Sequence, residues 1–112
     1  MDNGELDRLG ELFTDDVIYD VSAFGLGELR GREAIRRAAL ELGEKNPLGH
    51  HVTNVVVIGM VNADVQVISK GLGVRSDGTC GTVTYHDLVR STPAGWRIAR
   101  RRVVPRRSPL TP

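Results

Sequence analysis

Two adjacent histidines, His50 and His51, are the side chains of this 112-residue sequence best suited to moving a proton near neutral pH. Adjacent residues on a strand face opposite sides, so only one of the two can enter a given site. Tyr85-His86-Asp87 forms a second group. On a strand, Tyr85 and Asp87 share one face and His86 takes the other. If the Tyr85 face lines a cavity, Asp87 is a buried carboxylate with a raised pKa, suited to general-base work. If that face points outwards, Asp87 pairs with an arginine of a neighbouring strand. Tyr19 offers a phenol, either for a ligand oxygen or for the rim of the core. Other chemistries find no template. Cys80 is the single cysteine, no histidine–carboxylate spacing resembles a metal triad, and Gly25-Leu26-Gly27 lacks the lysine and helix of a phosphate loop. No cofactor and no metal are implied.

The elements that must position these groups follow from periodicity. Leu6, Leu9, Leu12 and Phe13 recur at helical spacing, which predicts a short amphipathic helix over 4–13. Val17 to Ser22 alternates and is rich in β-branched residues, which predicts a strand. Gly25 and Gly27 make a loop, and Gly31-Arg32-Glu33 opens a second helix that Gly43 and Pro47 end. The pattern then changes to period two, with strands predicted over 50–59, 65–74, 82–90 and 96–104. Gly71 and Gly73 mark places where the sheet can bend. Two helices and then a bent antiparallel meander give an α+β fold, with the helices packed on one concave sheet face. The length fits one domain, 1–105, followed by a proline-rich disordered tail, 106–112.

The net charge of +1 hides an asymmetry: residues 1–50 carry 11 acids against 6 bases, and residues 51–112 carry 3 acids against 9 bases. Arg97, Arg100, Arg101, Arg102, Arg106 and Arg107 supply most of the basic half. With 4% aromatic residues and no groove-reading motif, they read as a solvated strand and tail, and no nucleic-acid partner is expected. The acidic, polar start does not read as a signal peptide, and no apolar run is long enough to span a bilayer. A cytoplasmic protein without membrane contact is expected.

Leu12-Phe13-Thr14-Asp15-Asp16-Val17, Arg30-Gly31-Arg32-Glu33-Ala34-Ile35, His51-Val52-Thr53-Asn54 and Gly95-Trp96-Arg97-Ile98 occur in an order that resembles the nuclear-transport-factor-2-like superfamily. Within it, the sequence is most similar to the SnoaL-like proteins, relatives of polyketide cyclases, scytalone dehydratase and ketosteroid isomerase. The resemblance implies a cone with an apolar pocket and a first helix cut short. It implies a histidine acid/base at the start of the strand after the second helix, matched best by His51, with His50 beside it. The aspartate that orients this histidine in such relatives falls on Asp2, and the carbonyl-polarising tyrosine falls on Val21, two residues from Tyr19. Asp87 would assist as a base, and Tyr85, Asn54, Phe24 and His50 would touch the ligand. No second histidine stands on strand 65–75, which counts against scytalone dehydratase activity itself. The resemblance implies a cofactor-independent lyase or isomerase acting on an apolar oxygenated ring compound, or alternatively a non-catalytic ligand-binding or dimerising module. It further implies a homodimer formed through the sheet. Fold alone does not choose between these functions.

Overall fold

A computed structural model describes residues 1–109. Six strands form one sheet: β1 (Phe13–Asp20), β2 (Glu28–Arg30), β3 (Gly49–Val61), β4 (Asp64–Val74), β5 (Cys80–Thr92) and β6 (Gly95–Arg106). Their spatial order is β2-β1-β6-β5-β4-β3. The four long strands are a sequential antiparallel meander, and β1 joins it by running parallel to β6. One helix, α1 (Arg32–Leu42), crosses the inner face of the sheet beside β1 and β2. The architecture is the expected curved α+β cone. Among the described residues no helix is long and apolar enough to cross a membrane.

The first element departs from expectation. In place of a helix over 4–13 there is a six-residue 3-10 turn, Leu6–Glu11, without a side-chain cap. Gly4 and Gly10 flank and interrupt this segment, and glycine costs a helix interior roughly 1 kcal/mol relative to alanine. Leu9 is buried by the turn while Leu12 remains exposed. The chain therefore enters β1 at Phe13, four residues before the expected Val17. Strand β2 was not expected. It pairs antiparallel with β1, Ile18 opposite Arg30 and Asp20 opposite Glu28. Gly31 then turns the chain into α1 at a φ of +83°, a left-handed conformation that favours glycine, and its N–H donates to the Val17 carbonyl at 2.7 Å.

The core lies at one end of the sheet. Leu9, Phe13, Val17 and Ile35 form one cluster between α1, the 3-10 turn and β1. Val21, Tyr85 and Val103 form a second, and Tyr19 and Leu29 pack on both. Helix α1 packs chiefly on β1, β2 and the 3-10 turn Leu6–Glu11. The far edge of the sheet is accordingly bare, with Val52, Val55, Val56, Val57, Ile58 and Met60 all exposed. In the expected tail, Arg106 still belongs to β6 and its guanidinium donates to the Ser108 carbonyl at 3.1 Å. Residues 110–112 of that tail lie outside the described residues.

Candidate active site

Strand register decides which side chains share the concave face. His50 on β3 stands opposite Gly73 on β4. Two residues along β4 comes Gly71, opposite Val83, and then Ser69, opposite Tyr85. Tyr85 faces Val103 and Asp87 faces Arg101 across β5 and β6, and Arg101 in turn stands beside Tyr19 of β1. His50, Gly73, Gly71, Ser69, Tyr85, Asp87, Arg101 and Tyr19 thus share one face by the period-two rule.

At one end of this face, Asp2 and His50 hold each other. The His50 backbone N–H donates to Asp2 Oδ2 at 2.8 Å, and His50 Nδ1 lies 2.5 Å from Asp2 Oδ1. Burial works to raise the Asp2 pKa. The bonds from the His50 ring and backbone, with the charge of His50, outweigh it and hold the carboxyl below its ordinary 3.8. A carboxylate on Nδ1 favours the tautomer protonated there and leaves Nε2 as the basic nitrogen. The ring lies beside Gly73, where an added Cβ would sit 3.9 Å from His50 Cδ2 and 3.6 Å from Pro47.

At the other end, Arg101 donates from Nε and Nη2 to the two oxygens of Asp87, each at 2.9 Å. Both partners are largely buried. The Arg101 guanidinium also lies 4.1 Å from the centroid of the Tyr85 ring. Burial alone would lower the Arg101 pKa, but the bidentate bond to Asp87 holds it above its ordinary value. Burial pushes the Tyr85 phenol up. The Arg101 charge pulls it back, while Asp87 and Asp2 push it further up. Tyr19 is half-buried edge-on to Phe13, ring centroids 6.0 Å apart. Burial pushes its phenol up as well, against the pull of Arg101. Between the two ends the floor is backbone. A Cβ on Gly71 would overlap the Tyr85 ring and sit 2.7 Å from its hydroxyl oxygen.

Several expected placements change. The histidine on Asp2 is His50, not His51. His51 occupies the opposite face, on the side of Gly49, because the strand register gives the inner position to the residue opposite Gly73. Asp87 does face inwards, but it also pairs with a neighbouring arginine, so the two alternatives were not exclusive. With both oxygens taken by Arg101, it is no free general base. Asn54 is exposed in a bulge between Thr53 and Val56, where its φ of +54° answers the need for a left-handed residue. Phe24 closes the 3-10 turn Ser22–Phe24 and is 43% exposed. Val21 is a core residue beside Tyr85. His86 lies on the convex face, where burial and the charge of Arg102 lower its imidazole pKa. Ile68, Leu88, Arg100 and Arg102 line a shallow groove of about 230 Å³ with it, on the other side of the sheet from Asp2 and His50.

Sequence reasoning missed Arg101, hidden as the middle of Arg100-Arg101-Arg102. Its signal was available: alternation buries the middle member of such a triplet once Asp87 is its cross-strand neighbour. No group of three or more His, Cys, Asp or Glu side chains among the described residues could hold a metal ion.

Comparison with known proteins agrees with this fold. Residues 1–102 match the model of the SnoaL-like domain. A solved structure of a proposed aromatic ring hydroxylase from Novosphingobium aromaticivorans is 27% identical, with a TM-score of 0.76 over 96% of this chain and 79% of that one. A proposed scytalone dehydratase from the same organism is 22% identical, with a TM-score of 0.72 over 95% of this chain and 74% of the other. The structure of LinA is 21% identical, with a TM-score of 0.75 over 97% of this chain and 78% of that protein. No curated protein gave a match. With a family match over nearly its whole length and the same cone fold in its neighbours, this chain belongs to the SnoaL-like domain family, within the nuclear-transport-factor-2-like superfamily.

Proposed function

We propose that the concave face binds an apolar, oxygenated ring compound and moves a proton on it, as a cofactor-independent lyase or isomerase does. The observation that carries this reading is the double hold of Asp2 on His50. A strand-start histidine needs no carboxylate to fold, whereas a general base gains from one that sets its tautomer and its orientation. His50 Nε2 takes the proton, and Asp2 stabilises the imidazolium that results. The rings of Tyr85 and His50 lie over Gly71 and Gly73 and offer the ligand ring aromatic surface to pack on. Tyr85 and Tyr19, held neutral by burial and flanking the Arg101 charge, donate to the ligand oxygen as negative charge develops there. Asp87 keeps Arg101 in place and is a positioning residue.

The binding half of this reading is tested by titrating 1-tetralone, a bicyclic aromatic ketone, into isotopically labelled protein. Shifts concentrated at Gly71, Gly73 and Tyr85 are expected. Shifts confined to the convex groove around His86 and Arg102, or none at all, would refute it.

A further inference from the structure

We propose that the convex face carries a second binding site, at which Lys70, His86 and Arg102 hold the phosphate of a small phosphate monoester while Ile68 and Leu88 pack against its apolar body. The site lies on the other side of the sheet from Asp2 and His50 and is independent of the chemistry proposed there.

Strand register brings the three polar side chains together. Arg102 of β6 stands directly opposite His86 of β5, and His86 stands opposite Ile68 of β4. Lys70 stands opposite Thr84, one step along the same face, and its ammonium reaches across to donate to Thr84 Oγ1 at 2.8 Å. Directly opposed side chains start about 4.5–5.5 Å apart and diagonal ones about 7–8 Å, so all three polar ends can reach one group placed over His86. The charges of Arg102 and Lys70 are both felt at the His86 ring. With burial, and against the charge of Asp87, they disfavour a third positive charge there.

What this cluster lacks is an anion. Among the described residues neither Lys70 nor Arg102 forms an ion pair, whereas the neighbouring Arg100 is flanked by Asp20 at 3.7 Å and Glu28 at 3.6 Å. Asp20 stands beside Arg102 in register, but its other oxygen accepts from the Ser22 N–H at 2.9 Å. Charge and shape then define the occupant. Two permanent positive charges without a carboxylate match the near-dianion of a phosphate monoester, and a carboxylate would balance only one of them. The terminal oxygens of a phosphate also suit the three donors, a guanidinium fork, an ammonium and a neutral imidazole N–H. Beside them runs the groove of about 230 Å³, lined by Val61, Ile68 and Leu88 as well as His86, Arg100 and Arg102. It is smaller than the roughly 300–1,000 Å³ of drug-sized pockets, so the apolar body is of single-ring size. A nucleic-acid strand fits less well. Its phosphodiesters carry one charge each, and no Phe, Tyr or Trp lines the groove to stack on a base.

Titration of isotopically labelled protein with phenyl phosphate, followed by NMR, tests this, with inorganic phosphate and phenol as partial probes. Phenyl phosphate should shift Ile68, Thr84, His86 and Arg102 and bind more tightly than either partial probe. Lys70→Gln and Arg102→Gln should each weaken its binding about tenfold or more. Lys45→Gln, at an exposed position of the turn after α1, should leave it unchanged. Wild-type protein in which these residues do not shift, or an affinity that both Lys70→Gln and Arg102→Gln keep, would overturn the inference. Inorganic phosphate binding as tightly as phenyl phosphate would overturn it too, since the groove would then hold no apolar body. So would a single-stranded oligonucleotide that occupies the same residues more tightly than phenyl phosphate, a result that assigns the face to nucleic acid. The neutral ketone 1-tetralone should bind Arg102→Gln as it binds wild type, so this inference and the concave-face reading fail separately.

Discussion

Asp2 and His50 are 48 residues apart in the chain, yet the carboxylate takes the backbone N–H of His50 on one oxygen and meets the ring Nδ1 on the other. The two contacts fix both the position of the aspartate and the rotation of the imidazole. A single bond would do only one of these. They also join the first residues of the chain to the start of β3.

This relationship makes stability depend on acid. The folded Asp2 has a pKa below 3.8, so the unfolded chain binds the proton more readily. The stabilisation is full above that value and is lost as pH falls through the lower, folded pKa. Urea unfolding between pH 6 and 2 should show wild type losing a component of stability in this window that Asp2→Asn lacks. Parallel pH profiles for the two proteins would count against the contact.

Both tyrosines of the chain, Tyr19 and Tyr85, have phenol pKa values raised above 10 by burial. Spectrophotometric titration should therefore find no tyrosine ionising at its ordinary pH in the folded protein. Unfolded chains release these protons first, so stability should fall as pH rises past 10. A phenol titrating near 10 in protein that is still folded would contradict the burial.

The Asp87–Arg101 pair predicts an asymmetric mutational result. Asp87→Ala strands a buried guanidinium and should cost about 3–5 kcal/mol of folding stability, measured by chemical denaturation. The double variant Asp87→Leu with Arg101→Met removes both charges and should recover much of that loss. Equal losses in both proteins would mean that the pair is solvated.

Gly71→Ala pushes a methyl group into the Tyr85 ring. Overpacking of this kind costs roughly 1–3 kcal/mol, and it should also displace the Tyr85 hydroxyl and weaken 1-tetralone binding. Unchanged stability together with unchanged binding would show that the ring does not rest on this glycine.

Much of the fold was legible in the sequence because period-two alternation is local. The strands over 50–59, 65–74, 82–90 and 96–104 emerge as Gly49–Val61, Asp64–Val74, Cys80–Thr92 and Gly95–Arg106. Strand β2 escaped because Glu28-Leu29-Arg30 is too short to alternate, and only its pairing to β1 makes it a strand. The site was legible as a set of residue types but not as a choice between neighbours. His50 and His51 differ by one step of register, and that step is decided by Gly73 across the sheet and by Asp2 from the far end of the chain. Arg101 was hidden in the same way between Arg100 and Arg102. Position along a strand can be read locally, whereas the face a residue takes depends on partners distant in sequence.

The central claim is that His50, held by Asp2, moves a proton on a ligand at the concave face. The most direct measurement is exchange of the α-protons of 1-tetralone for deuterium in heavy water, followed by NMR with catalytic amounts of protein. Wild type should accelerate exchange, His50→Ala should lose about 10²–10⁴-fold of that acceleration, and His51→Ala should retain it. Loss in His51→Ala with full exchange in His50→Ala, or wild-type exchange no faster than buffer, would contradict the claim.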